Sequence, residues 1–312
     1  MRAFAVRQFG ERGSVEELPK PEAQAGEVLV HVRAAAVNAM DPILTSGAYK
    51  EMMEHRLPLI PGLDFSGTVE AVGSGVDDLE VGDEVFGRST KPYFGEGTFA
   101  EFMTTRPDGL ARKPASLSHT DAAALPLAGS TAIALVDAVD LRSSETVVIV
   151  GAGGGVGSYA TQLAARTGAR VIAVTRSDYA DHVRGLGATE MIDYTAGDVA
   201  GQIRAMAPNG VDAIIDLHSD RDTLLGLAVT ARQGGRIASA LNSVDAAALT
   251  ERGLTGSNVS AASGRVGELG DLAASGELRV PVTRTFSLGE TSDALAEQAS
   301  RQSRGKLVIL IE

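Results

Sequence analysis

The residues best placed to do chemistry are three glycines. Gly151, Gly154 and Gly157 follow the β-branched run Val147-Val148-Ile149-Val150 and precede Ser158-Tyr159-Ala160-Thr161-Gln162-Leu163-Ala164-Ala165. That order reads as a buried strand, a tight turn and a helix of small residues. Glycines at this spacing let the backbone approach a ligand closely, and the unbonded N–H groups at a helix start attract phosphate. Arg170-Val171-Ile172-Ala173-Val174 supplies a second strand at the distance a βαβ unit requires. The chemistry implied is the binding of a pyrophosphate-containing dinucleotide, with Gly154, Gly155, Val156 and Gly157 on the phosphates.

The end of the second strand chooses between cofactors. An NAD site places a carboxylate there for the ribose hydroxyls, whereas this chain offers Thr175-Arg176-Ser177. Two hydroxyls and a guanidinium suit a 2′-phosphate, and no acid stands at the tip itself. Asp178 and Asp181 follow as residues of a helix's first turn. The reading is NADPH, held by Thr175, Arg176 and Ser177.

A second set of chemistry-bearing residues lies earlier. Asn38 and Asp41, in Val37-Asn38-Ala39-Met40-Asp41-Pro42, can lock a turn through backbone groups; alternatively Asn38 offers an amide to a substrate carbonyl. Ser130 and Thr131 stand near a helix start, where a hydroxyl can cap or face a substrate. Tyr93 and Phe94, bounded by Pro92 and Gly95, are adjacent rings in a chain with only 4% aromatic residues. They read as an apolar wall for a flat ring or as a loop anchor, and Tyr49 joins them as a pocket candidate. His218, in Leu217-His218-Ser219-Asp220, ends a strand where open parallel sheets bind ligands, so it is a cofactor-side candidate beside the reading of an exposed loop. The five histidines, His31, His55, His119, His182 and His218, never approach metal-ligand spacing, and there is no cysteine. No metal site is expected.

The elements that must position these residues fall into two domains, as a length of 312 residues suggests. The N-terminal part carries short strands with Gly and Pro turns; Val28, Val30 and Val32 alternate with Leu29, His31 and Arg33 in a half-buried pattern. Pro126 should break the helical stretch from Ala122 to Val136. Strands at Leu186 to Tyr194, Val211 to Leu217 and Gly235 to Ala240 alternate with helical segments, the doubly wound α/β signature. Lys306 to Ile311 reads as a terminal strand that returns to the first domain. A net charge of −12 gives no reason to bind nucleic acid or an anionic membrane. With no transmembrane-length run and no basic, apolar leader, the expected location is cytoplasmic.

The chain resembles the zinc-independent quinone oxidoreductase branch of the medium-chain dehydrogenase/reductase superfamily. The resemblance rests on Asn38 to Pro42, Pro61 to Gly67, Gly82 to Gly87, Gly97 to Glu101, Leu125 to Ala132, Gly151 to Gly157 and Arg304-Gly305-Lys306-Leu307-Val308. It implies an α/β Rossmann domain at 122–283 and a mainly β GroES-like catalytic domain formed by 1–121 and 284–312. NADPH would occupy an interdomain cleft, and the protein would be a homodimer. The implied activity is hydride transfer to a quinone or related conjugated carbonyl. A 2-enoyl-thioester or alkenal reductase is the alternative enzyme, and a non-enzymatic NADPH-binding protein the alternative class. Asn38 would be the cleft asparagine and Thr131 the nicotinamide-side threonine, while Asp41 and Asp64 would be structural. Leu217-His218-Ser219-Asp220 departs from the glycine-containing strand end often seen in the family.

Overall fold

A computed structural model describes residues 1–300 and 302–311. The chain forms two compact units, Met1–Leu127 with Ser263–Glu312, and Ala128–Ala262. The expected boundary at 283/284 is therefore corrected: residues 263–283 belong with the first unit. The reason is packing. Helix Val266–Ala274 lies on strand Leu110–Arg112, so closely that a Cβ on Gly270 would stand 2.8 Å from the Phe86 ring.

In the first unit the strand Val28–Val37 is central. It pairs antiparallel with Asp64–Val72, Phe102–Thr105 and Lys306–Leu310. Its first half follows the sequence alternation in part: Val28, Val30 and Val32 are buried and Arg33 is exposed, but Leu29 is buried too. From Ala34 to Val37 every residue is buried, because helix His119–Ala124 covers the other face through Ala123 and Ala124. Small alanine side chains on both elements let helix and strand approach closely there. Register sets Ala36 opposite Asp64 and Leu307 opposite Val37. The ends of three neighbouring strands thus gather residues 38, 64 and 306.

The second unit is a parallel six-stranded sheet. Its order is Glu190–Asp193, Arg170–Thr175, Thr146–Val150, Val211–Asp216, Ala231–Ser239, Thr255–Asn258. The chain runs outward from Thr146–Val150 to one edge, then restarts on the other side at Val211–Asp216. The switch point thus falls beside the glycine turn, where sheets of this kind bind ligands. This is the Rossmann fold, joined in the chain to a mainly β GroES-like domain. Helix His119–Ala124 ends before Pro126, which opens the next helix, Pro126–Val139; proline at a first helical position lacks only an N–H the helix would not have used. Among the described residues, no helix is long and apolar enough to cross a membrane.

Candidate functional site

In the second unit the glycines serve three separate needs. Gly151 has φ +83°, a left-handed conformation that admits the tight turn after Val150. Gly157 lets helix Gly155–Arg166 press onto that turn, since a Cβ there would stand 2.2 Å from the Gly151 carbonyl oxygen. Gly154, the N-cap of the helix, has neither constraint: its φ is −80°, and a Cβ would meet only the Gly151 oxygen, at 3.6 Å. The fold leaves space over Gly154. The N–H groups of Gly155, Val156 and Gly157 open the helix, where intrahelical partners are missing. Open backbone and unpaired donors at one point fit a phosphate, so the residues present suit a dinucleotide.

The neighbouring strand end is more constrained than its sequence suggests. Thr175 is buried, and its hydroxyl lies 2.6 Å from where a Gly153 Cβ would sit. The N–H of Ser177 donates to Asp193 at 3.1 Å. Asp193, at the end of the adjacent strand, is held down to about 2 by bonds from Thr195 and Ser177. Arg176 is not unopposed: its Nε and Nη2 donate to Asp178 at 3.1 and 3.3 Å. The strand tip itself carries no acid, but one turn of 3₁₀ helix folds Asp178, expected only as a first-turn acid, back onto Arg176. Both side chains are over one-third exposed, so the pair is weak and easily exchanged.

His218 is exposed across the switch point from the turn; Leu217 N–H donates to the Val150 carbonyl at 3.1 Å. The His218 ring faces Tyr194 at 6.2 Å. Sequence reasoning missed Asp216, which is buried at the strand end. It accepts from Ser219 N–H at 3.1 Å and from the Ser239 and Ser243 hydroxyls at 3.3 and 3.2 Å. Those bonds fix the tips of two adjacent strands. Thr131 is buried on helix Pro126–Val139, next to Ser130.

In the first unit Asn38 belongs to a buried polar cluster. Its Nδ2 donates to Asp64 Oδ2 at 3.1 Å and its Oδ1 accepts from Lys306 Nζ at 2.7 Å. Lys306 also donates to the Val37 carbonyl at 3.1 Å and stands 3.9 Å from Asp64. Asp64 accepts the Leu127 N–H on both oxygens. Asp41 reaches back to the Asn38 N–H at 2.7 Å, and its Oδ1 has no partner. All four side chains are buried. Burial pushes Asp41 up to about 7, its bond from Asn38 and the Lys306 charge opposing the rise. Burial also raises Asp64 and lowers Lys306, each held back by the other's charge. Lys306 carries no signal in the sequence beyond its place in Arg304 to Val308, and its partners are more than 200 residues away.

The aromatic candidates separate. Tyr93 and Phe94 line a cavity of about 70 Å³ with Leu59, Ile60 and Leu63; Tyr49 does not line it. That volume holds a few waters and is well under the ~300 Å³ at which ligand pockets begin. One face of Tyr93 is covered by the Arg56 guanidinium, 3.3 Å from the ring centroid, and Phe94 packs on His55 at 5.3 Å.

Residues 24–115 match the family described as the alcohol dehydrogenase GroES-like domain, and residues 186–309 the one described as zinc-binding dehydrogenase. The chain is 30% identical to the mitochondrial NAD(P)H oxidoreductase RTN4IP1 of Mus musculus, over 91% of this chain and 81% of the relative. It shares 28% identity and a TM-score of 0.90 with the quinone oxidoreductase of Coxiella burnetii, covering 100% and 99% of the two chains. It shares 25% identity and a TM-score of 0.87 with the Escherichia coli quinone oxidoreductase complexed with NADPH, covering 99% of each. The chain belongs to the zinc-independent, quinone oxidoreductase-like branch of the medium-chain dehydrogenase/reductases. Zinc, which the second family's description implies, does not fit the donors present. No group of three or more His, Asp or Glu among the described residues could hold a metal, and the cation beside Asp64 is Lys306.

Two outcomes test this geometry. Gly154→Ala should change unfolding free energy by less than about 1 kcal/mol yet weaken dinucleotide binding at least about tenfold, whereas Gly157→Ala should lose about 1–3 kcal/mol from overpacking. Denaturant melts and cofactor titration read both, and equal destabilisation by the two would contradict the assignment. For Asp41, a folded pKa above the ordinary carboxyl value means the native state holds the extra proton, so stability falls as pH rises. Relative to Asp41→Asn, the wild type should lose about 1.4 kcal/mol per pH unit between roughly 4 and 7, then level off. Urea melts across that range check the slope.

Proposed function

We propose that the chain is an NADPH-dependent reductase that transfers hydride to a quinone or related conjugated carbonyl without a metal. The observation that carries the reading is the open backbone at Gly154, at the switch point of the parallel sheet, with Arg176 on the neighbouring strand end. The NADPH-bound Escherichia coli relative and the quinone oxidoreductase of Coxiella burnetii support it. Gly154, Gly155, Val156 and Gly157 would hold the pyrophosphate, and Arg176 with Ser177 the 2′-phosphate. Thr175 supports the turn from beneath, and His218 flanks the same strand ends. When bound, the cofactor supplies the hydride.

The protein's own part is to stabilise the negative charge that develops on the acceptor's oxygen. Asn38 is the donor proposed for that task. One Nδ2 hydrogen goes to Asp64, while the other has only the Ala36 carbonyl, at a long 3.4 Å. Thr131 is proposed as a second polar contact, through its hydroxyl. Such preorganised donors are worth up to about 2–4 kcal/mol of barrier each. The direct test is steady oxidation of NADPH with a panel of quinones and enones after exhaustive chelation. Turnover supports the reading; tight NADPH binding with no turnover on any acceptor would overturn it.

Cofactor choice gives a sharper prediction. Arg176→Ala should cost NADPH at least about tenfold in affinity and leave NADH unchanged. Asp178→Asn should do the opposite, raising the preference for NADPH about 2–5-fold by releasing an exposed pair. Dissociation constants for both cofactors decide it; loss of NADPH affinity in Asp178→Asn would contradict the account.

A further inference from the structure

The two ends of the Asn38 carboxamide are nearly the same in shape, so something other than packing must decide which faces where. Lys306 Nζ can only donate and an ionised Asp64 can only accept. The observed arrangement puts Oδ1 on the ammonium at 2.7 Å and Nδ2 on the carboxylate at 3.1 Å. Turning the amide over would set NH₂ against ammonium and carbonyl against carboxylate, making both contacts repulsive.

We propose that Lys306 is a positioning residue that, by donating to Asn38 Oδ1, fixes this side chain as a hydrogen-bond donor for the acceptor's developing charge. The proposal rests on the reading of Asn38 given above. The ammonium does three things. It sets the orientation, it draws electron density toward Oδ1 so that the Nδ2 hydrogens are stronger donors, and it neutralises Asp64. Its own position is fixed: Lys306 begins the strand paired with Val28–Val37, it is buried, and a second donor is anchored on the Val37 carbonyl. Gly305 makes this entry possible. It has φ +56°, and a Cβ there would stand 2.2 Å from the Pro281 carbonyl oxygen.

A purely structural lysine would also be buried beside Asp64, so the test must separate the two roles. Glutamine at 306 can donate or accept and so does not fix the amide. Single-turnover hydride transfer to one quinone is measured in wild type, Asn38→Ala, Lys306→Gln and the double variant, with melting and NADPH affinity on the same samples. Asn38→Ala and Lys306→Gln should each slow transfer by about 10–100-fold, and the double variant should be no more than about twofold slower than Asn38→Ala alone. NADPH affinity should stay within about twofold in all three. Slowing that multiplies in the double variant, or wild-type transfer in Lys306→Gln, would overturn the proposal. If Asn38→Ala itself transfers at the wild-type rate, the reading of Asn38 fails and the proposal falls with it. Should Lys306→Gln not fold, Asp64→Asn/Lys306→Gln removes both charges together, and the same cycle against Asn38→Ala applies with the same expectations.

Discussion

Two carboxyl groups and an ammonium buried out of water must satisfy one another, and much of the first unit is arranged so that they can. Asp64, Asn38 and Lys306 sit at the ends of three neighbouring strands whose register brings them together. The Leu127 N–H on Asp64 adds the start of helix Pro126–Val139 to the same point. Asp41 closes the set by bonding the Asn38 backbone. A cluster of this kind is weak evidence for stability, because removing both charges can be neutral. Removing one is different, typically costing about 3–5 kcal/mol, since the other is left buried and alone. Its value lies in specificity: with the strands in this register, the charges on either side leave Asn38 one favourable orientation.

Asp41 stands apart within it. Its Oδ1 is unpartnered, and its pKa rises to about 7. With Asp41 protonated, Asp64 and Lys306 balance and the cluster is neutral. Once it ionises, the cluster carries one net negative charge with no cation to receive it. In the second unit the governing constraint is space rather than charge. Gly157 and Gly151 are demanded by the fold itself, whereas Gly154 leaves backbone uncovered. That difference separates glycines that build the turn from the one that serves a ligand.

The Rossmann half was legible because its signals are local: β-branched strands, a glycine spacing, a second strand within about one βαβ unit. Pro126 as a break in the helical stretch was equally local, although the next helix starts at Pro126 itself rather than near Ser130. The boundary at 263–283 was misplaced because helix Val266–Ala274 is allotted by what it packs on, Phe86 and Pro114, and nothing in its own composition says so. Asp178 was seen but read only as a first-turn acid; a 3₁₀ turn brings it onto Arg176. Lys306 lay inside a motif that marked the family, yet its role depends on Asn38, 268 residues away. The same holds for Asp216, whose partners Ser239 and Ser243 come from the next strand and the loop beyond it. Tyr93 was chosen with Phe94 as adjacent rings in a Pro- and Gly-bounded loop, and only packing shows that Arg56 covers one face of Tyr93.

The central claim is that a charged Lys306 holds the Asn38 amide in one orientation. Nitrogen-15 NMR of the protein, with lysine and asparagine side chains labelled, observes it directly. The account predicts a slowly exchanging Lys306 NH₃⁺ signal between about pH 6 and 8, and one Asn38 Nδ2 proton shifted away from the ordinary carboxamide range by its bond to Asp64. Loss of that shift in Lys306→Gln should accompany it. A neutral Lys306 amine at pH 7, or an Asn38 amide unchanged by Lys306→Gln, would contradict the account.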